Sequence, residues 1–397
     1  MSKLLHIQVL RALAALSVAM LHAQFDAGAI AERLGREFRA IEAFPWLAGV
    51  DVFFVISGFI MVYASRGLFG AAHGRRTFLA HRVARVVPLY WAVTTLYLAV
   101  ALALPTLLNR HYFAPEFIVA SYLFIPMERP DGMIQPLYGL GWTLNYEMYF
   151  YALFAVALGW RRTIALPLLV AGFLVLVAAG RLVSVPEPLA FWTDPIILEF
   201  AFGIVLGMLH ENGVRVGRAA ALALAAASVA LFVLDFGRLD GPLVLPRVLA
   251  YGVPAALLVA AAALRPSREG GEGVFTRVAV AVGDASYALY LLHPFVIRAG
   301  REAMLASGLA ATVGPWGFVA FALVLASVAA VLVHRVFERP LTGWTRQHLQ
   351  GRQGSLPGPA PKPTRGPRHE RTRPAPDGDG SALLPQPYRR RAAGRER

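Results

Sequence analysis

The chain has 397 residues, 57% hydrophobic and only 16% charged, with a mean hydropathy of +0.55. Soluble domains carry about 25% charged residues, so a soluble globular fold is excluded for want of water-facing surface. The net charge of +14 gathers after Gln350 and in short loops between apolar runs, as cytoplasmic Lys and Arg do in membrane proteins; no nucleic-acid partner is expected.

The absence of cysteine removes disulfides, thiolate metal sites and a Cys nucleophile, and no metal is expected. The apolar runs are Leu5–Phe25, Trp46–Tyr63, Phe78–Leu104, Leu140–Leu158, Ile164–Ala179, Thr193–Leu209, Ala219–Asp235, Pro246–Leu264, Ala279–Val296 and Pro315–Val336. Most suit a hydrocarbon core about 30 Å thick. The first follows Lys3 but contains Arg11 and His22, and no small-x-small cleavage site precedes a soluble domain, so it reads as a retained span. Phe117–Met127 is too short to cross and reads as re-entrant or interfacial.

The positive-inside rule puts Arg66, Arg75, Arg76, Arg82 and Arg85 in the cytoplasm, followed by Arg161/Arg162, Arg215/Arg218 and Arg265/Arg268. The loops with Asp26, Glu32, Glu37 and Glu42, then Glu128 and Asp131, then Asp235 and Asp240 fall outside. The expectation is an all-α bundle of ten spans, multi-pass in the plasma (inner) membrane, with both termini cytoplasmic. Residues 1–345 form its membrane domain. Residues 346–397, a basic tail rich in Pro and Arg, bury too little to order and can brush the anionic leaflet.

Ionisable groups inside spans are costly and mark function by default. Arg11 and His22 stand roughly 16 Å apart on one face of the first span. Arg11 can snorkel to the inner headgroups and His22 to the outer ones; the competing reading makes His22 a general base. In the second span Asp51 can partner a cation. Ser57 invites a nucleophile reading, although Ser57-Gly58 reads more readily as a close helix contact.

Arg82 and Arg85, one turn apart, project together and suit a phosphate-rich ligand, or are ordinary cytoplasmic arginines. Glu147, about 10 Å into the membrane behind Trp142 and Asn145, reaches the depth of His22 and can orient its imidazole as a carboxylate does in an acyl-transfer triad. In the ninth span, Tyr290 and His293 precede Pro294. His293 either bonds a freed carbonyl or lines the site. Glu338-Arg339-Pro340 reads as a helix exit.

These residues, in this order, resemble the acyltransferase-3 family of membrane enzymes. The matching elements are Arg11 and His22 with ten residues between, Phe53-Phe54-Val55-Ile56-Ser57-Gly58-Phe59, Arg82-x-x-Arg85 with Pro88, Trp142-Thr143-Leu144 with Glu147 and Phe150-Tyr151, Tyr290-Leu-Leu-His293-Pro294, and Phe337-Glu338-Arg339-Pro340. The resemblance covers about His6 to Pro340 and implies transfer of an acyl group, commonly acetyl, from cytoplasmic acyl-CoA to a hydroxyl of a carbohydrate, glycolipid or macrolide sugar. The esterase-like domain of some members has no counterpart here.

On these positions Arg82 and Arg85 hold the CoA phosphates, assisted by Arg75 and Arg76, and the thioester arm passes Arg11. His22 is the base and Glu147 orients it. Asp51, Trp142, Asn145, Tyr290 and His293 are expected on the acceptor side. The alternatives are a transporter or flippase of a lipid-linked sugar, which would use intramembrane His, Arg and Glu equally well, and an acyltransferase for a small-molecule glycoside.

Overall fold

Backbone groups in a bilayer have no water to bond, so spanning segments must close their hydrogen bonds internally, as helices do. The structure, a computed structural model, describes residues 4–103, 112–235, 237, 244–266 and 273–350. Among the described residues it is helical without strands; one isolated bridge, Glu128–Ile134, closes a loop. The tail expected beyond residue 350 lies outside the described residues.

In chain order the helices are α1 (Leu5–Arg33), α2 (Gly49–Ala64), α3 (Gly74–Ala103), α4 (Pro115–Tyr122), α5 (Trp142–Ala157), α6 (Arg162–Leu182), α7 (Leu189–Trp192) and α8 (Leu198–Glu211). They continue as α9 (Arg218–Leu234), α10 (Val253–Ala263), α11 (Val274–Asp284), α12 (Ser286–Ala306), α13 (Leu309–Val333) and α14 (Arg339–Gln350). Six helical segments among the described residues are long and apolar enough to cross a membrane, seven if α11 and α12 count as one bent span. That is the make-up of a multi-pass membrane protein. The other expected spans are shorter apolar helices: α5 with 16 residues, α9 with 17, and the π-turn Val248–Gly252 running into α10.

Three expectations change. The first helix does not stop at Phe25 but continues to Arg33, because Asp26 is buried against Arg301 of α12 instead of facing water. The expected ninth span, Ala279–Val296, is broken at Ala285, where α11 and α12 meet at 79°. There Gly283 lies against the Gln8 backbone of α1, closer than any Cβ would allow. Residues 346–350, expected in the basic tail, are the last turn of α14, which stays helical to Gln350.

The short α4 is pinned to α3: the Tyr90 hydroxyl donates to the Ser121 carbonyl (3.0 Å) and the Trp91 indole to that of Tyr122 (2.9 Å). Its 8 residues rise roughly 12 Å, too little to cross. Around the centre, α1 runs along α11, α12 and α13, while α2 packs on α8. The α2–α8 crossing is close because small residues let backbones approach. Gly58 faces the Phe200 carbonyl and Gly203, and Gly203 in turn faces Val55.

Candidate active site

Eleven polar or charged side chains from α1, α2, α3, α5 and α12 converge on a cavity of about 340 Å³. Along α3, Arg82 and Arg85 both reach it, as their one-turn spacing requires, and Arg11 of α1 enters from across the bundle. Arg11 donates to Gln8 Oε1 (3.0 Å) and Ser286 Oγ (2.8 Å). Arg85 lies 3.7 Å from the buried Glu338, which also meets His334 Nδ1 at 2.9 Å. Glu338 therefore turns back into the protein. The guanidinium of Arg82 rests over the rings of Phe78 and Tyr151 (5.7 and 5.9 Å). Among the described residues Arg82 has no carboxylate partner, and its buried Nε donates to nothing.

Glu147 lines the same cavity. Its Oε1 accepts from Ser57 Oγ at 3.0 Å and from the Tyr151 hydroxyl. Ser57 is therefore not a packing residue; its neighbour Gly58 makes the helix contact. Neither Arg75 nor Arg76 reaches the cavity: Arg75 lies over the Trp160 ring (5.9 Å), and the exposed Arg76 donates to the Leu349 carbonyl (3.4 Å). Both lie in the first turn of α3, more than one helical turn before Arg82.

His22 is not among the residues lining the cavity. It is half-buried and faces His293, with His293 Nε2 3.2 Å from His22 Nδ1 and the rings edge-on at 4.8 Å. The expected pairing of His22 with Glu147 is not made. Helical depth gave both groups the same height, but α5 packs on α2 and α3 whereas the His22 face of α1 packs on α12. Tyr290 connects the two centres. It lines the cavity, its hydroxyl meets Thr143 Oγ1 (3.0 Å) and the Leu140 carbonyl (3.1 Å), and its ring lies 6.3 Å from that of His293.

Asp51 finds its cation, but inside the protein. Arg247 donates through Nε (3.0 Å) and Nη2 (2.8 Å) to its two oxygens, and Asp51 is fully buried. The guanidinium lies between the rings of Trp142 (5.8 Å) and Tyr251 (5.9 Å), so Trp142 belongs to this cluster. Asn145 is 1% exposed, and neither end of its amide has a partner. The sequence reading passed over Glu199, fully buried beside Asp51, and Arg247. Both sit in apolar runs and carry the signal used for Glu147: an ionisable residue where lipid is expected.

The protein is thus a helical membrane protein with cationic and carboxylate groups gathered around one cavity. Residues 4–335 match the family profile described as an acyltransferase domain, and the chain belongs to the acyltransferase-3 family. It is 38% identical over 302 residues to the exopolysaccharide production protein ExoZ of Rhizobium meliloti (strain 1021), covering 74% of this chain and 89% of that protein. It is 30% identical over 326 residues to acyltransferase MdmB of Streptomyces mycarofaciens, covering 73% and 79% respectively. No solved structure matches. The chain is an acyltransferase.

Proposed function

We propose that the protein transfers an acyl group, acetyl in the simplest case, from cytoplasmic acyl-CoA to a hydroxyl of a cell-surface or exported carbohydrate or glycolipid. The observation that carries this reading is the cavity, which Arg11, Arg82 and Arg85 all line and where, among the described residues, Arg82 has no carboxylate partner and a buried Nε that donates to nothing. A guanidinium with a buried donor and no partner is costly in a membrane domain unless an anion completes it, and guanidinium forks suit phosphate. The CoA phosphates supply that anion, and the arm carries the thioester past Tyr290 to His22.

In this reading His22 removes the proton from the acceptor hydroxyl as that oxygen attacks the thioester carbonyl, and CoA leaves as the thiol after taking up a proton. No covalent intermediate is needed because the thioester is already activated. Residues 1–345 form the catalytic membrane domain, placed in the plasma membrane by ten spans with both termini cytoplasmic. Its basic tail follows on the inner side. A carbohydrate acceptor agrees with the name of the exopolysaccharide production relative.

Incubating membranes with acetyl-labelled CoA and extracted glycan tests the reading. Label in the glycan, lost in His22→Ala protein that still inserts, is expected; a general base contributes about 10²- to 10⁴-fold. Near-normal transfer by His22→Ala would overturn the assignment of the base. Sugar movement without label would make the protein a carrier.

A further inference from the structure

An imidazole acting as base must present a bare nitrogen to the acceptor, so its other nitrogen must be held as N–H by something that accepts. Three carboxylates could have served His22, and all are engaged elsewhere. Glu147 accepts from Ser57 and Tyr151. Asp51 is held by Arg247. Asp26, one turn beyond His22 on the same helix, is bound by Arg301 at 2.5 Å, with Arg298 at 3.9 Å. The remaining polar neighbour is His293, fully buried on α12.

Backbone carbonyls fix both tautomers, because they can only accept. His293 Nδ1 lies 3.0 Å from the Leu289 carbonyl, so Nδ1 carries the proton and Nε2 is bare. His22 Nδ1 lies 3.0 Å from the Val18 carbonyl and 3.2 Å from that bare His293 Nε2. One N–H shared between two acceptors satisfies both contacts, a common three-centre arrangement. The proton of neutral His22 therefore sits on Nδ1, and its lone pair is on Nε2, the nitrogen with no hydrogen-bond partner among the described residues.

The geometry points to His293 as the positioning residue of the base: Leu289 sets its tautomer, and it sets that of His22. This rests on the reading of His22 as the base and replaces the carboxylate of the usual triad with a neutral acceptor. The substitution has a physical reason. A second buried charge in a membrane core is costly unless a partner neutralises it, whereas a neutral imidazole accepts the same hydrogen bond uncharged. When His22 takes the acceptor's proton on Nε2, its Nδ1–H remains bonded to His293 and the imidazolium is steadied without a proton passing to His293.

The test is a double-mutant cycle on purified full-length protein, with insertion and monodispersity checked for each variant. His293→Leu is expected to lower kcat about 10²-fold, the lower part of what a general base contributes, leaving KM for acyl-CoA unchanged. His293→Gln, whose amide oxygen can accept from the same N–H, should recover part of that loss. In a His22→Ala background the His293→Leu change should alter the residual rate less than twofold, since a residue acting only through His22 has nothing left to position. A further multiplicative loss there, or equal behaviour of Leu and Gln, overturns the proposal. Near-normal activity of His22→Ala alone would instead overturn the base. Should His293→Leu fail to insert, nitrogen NMR of the wild-type protein labelled at histidine decides: both rings are expected as the Nδ1–H tautomer, and a bare His22 Nδ1 refutes the assignment.

Discussion

At the scale of single residues, Arg82 and Asp51 show two fates of a buried charge. Arg82 reaches the cavity with its Nε unpaired, so its worth should appear only when a ligand arrives. Arg82→Ala is expected to raise KM for acyl-CoA about 10- to 100-fold, as for loss of a charged hydrogen bond of about 1.5–3 kcal/mol, without changing KM for the acceptor; initial-rate measurements check this. Asp51 already has Arg247. Asp51→Ala leaves that guanidinium only the neighbouring Glu199 and is expected to cost about 3 kcal/mol, the low end for a broken buried pair, because Arg247 keeps 34% of its side chain exposed. Thermal unfolding in detergent should show it, and Asp51→Leu combined with Arg247→Leu should be less damaging than Asp51→Leu alone. Sequence read Asp51 as able to partner a cation and placed it on the acceptor side, but could not name the cation, since Arg247 lies 196 residues away and nothing local joins them.

At the scale of helices, the fold was legible wherever hydrophobic length decides. Expected spans such as Trp46–Tyr63 and Ile164–Ala179 fall on α2 and α6. It was not legible where tertiary contact overrides composition: Asp26 stays helical because Arg301 buries it, and the break at Ala285 depends on a close contact with α1. Depth along a helix also proved insufficient for the site. It placed His22 and Glu147 level but not on which neighbour each would look. The α2–α8 crossing gives a sharp test of packing. Gly58→Leu would drive a side chain into the Phe200 backbone and should destabilise by about 1–3 kcal/mol, read as a lower unfolding midpoint. Gly172→Ala, which meets nothing within 4 Å, should leave that midpoint unchanged or slightly raised.

For the whole molecule, the proposed ten-span topology would place Arg66, Arg161 and Arg215 on one side of the membrane and Glu128 and Asp131 on the other. The chain contains no cysteine, so single cysteines at residues 66, 161, 215 and 131 can be probed with an impermeant thiol reagent in intact cells. Labelling only at residue 131 is expected; labelling at residue 161 or 215 would reverse the topology. Cutting the chain after Gln350 removes only the basic tail, and transfer in membranes should persist at comparable rate. Within the bundle, α1 and α12 are joined at three levels, Arg11 to Ser286, His22 to His293 and Asp26 to Arg301. The first and last of these join residues with the same sequence separation, 275, so the two helices run parallel and in step. Such a pair works as a caliper. The gap between Arg11 and His22 is locked at roughly 16 Å, and a donor is measured for reach as well as recognised by charge.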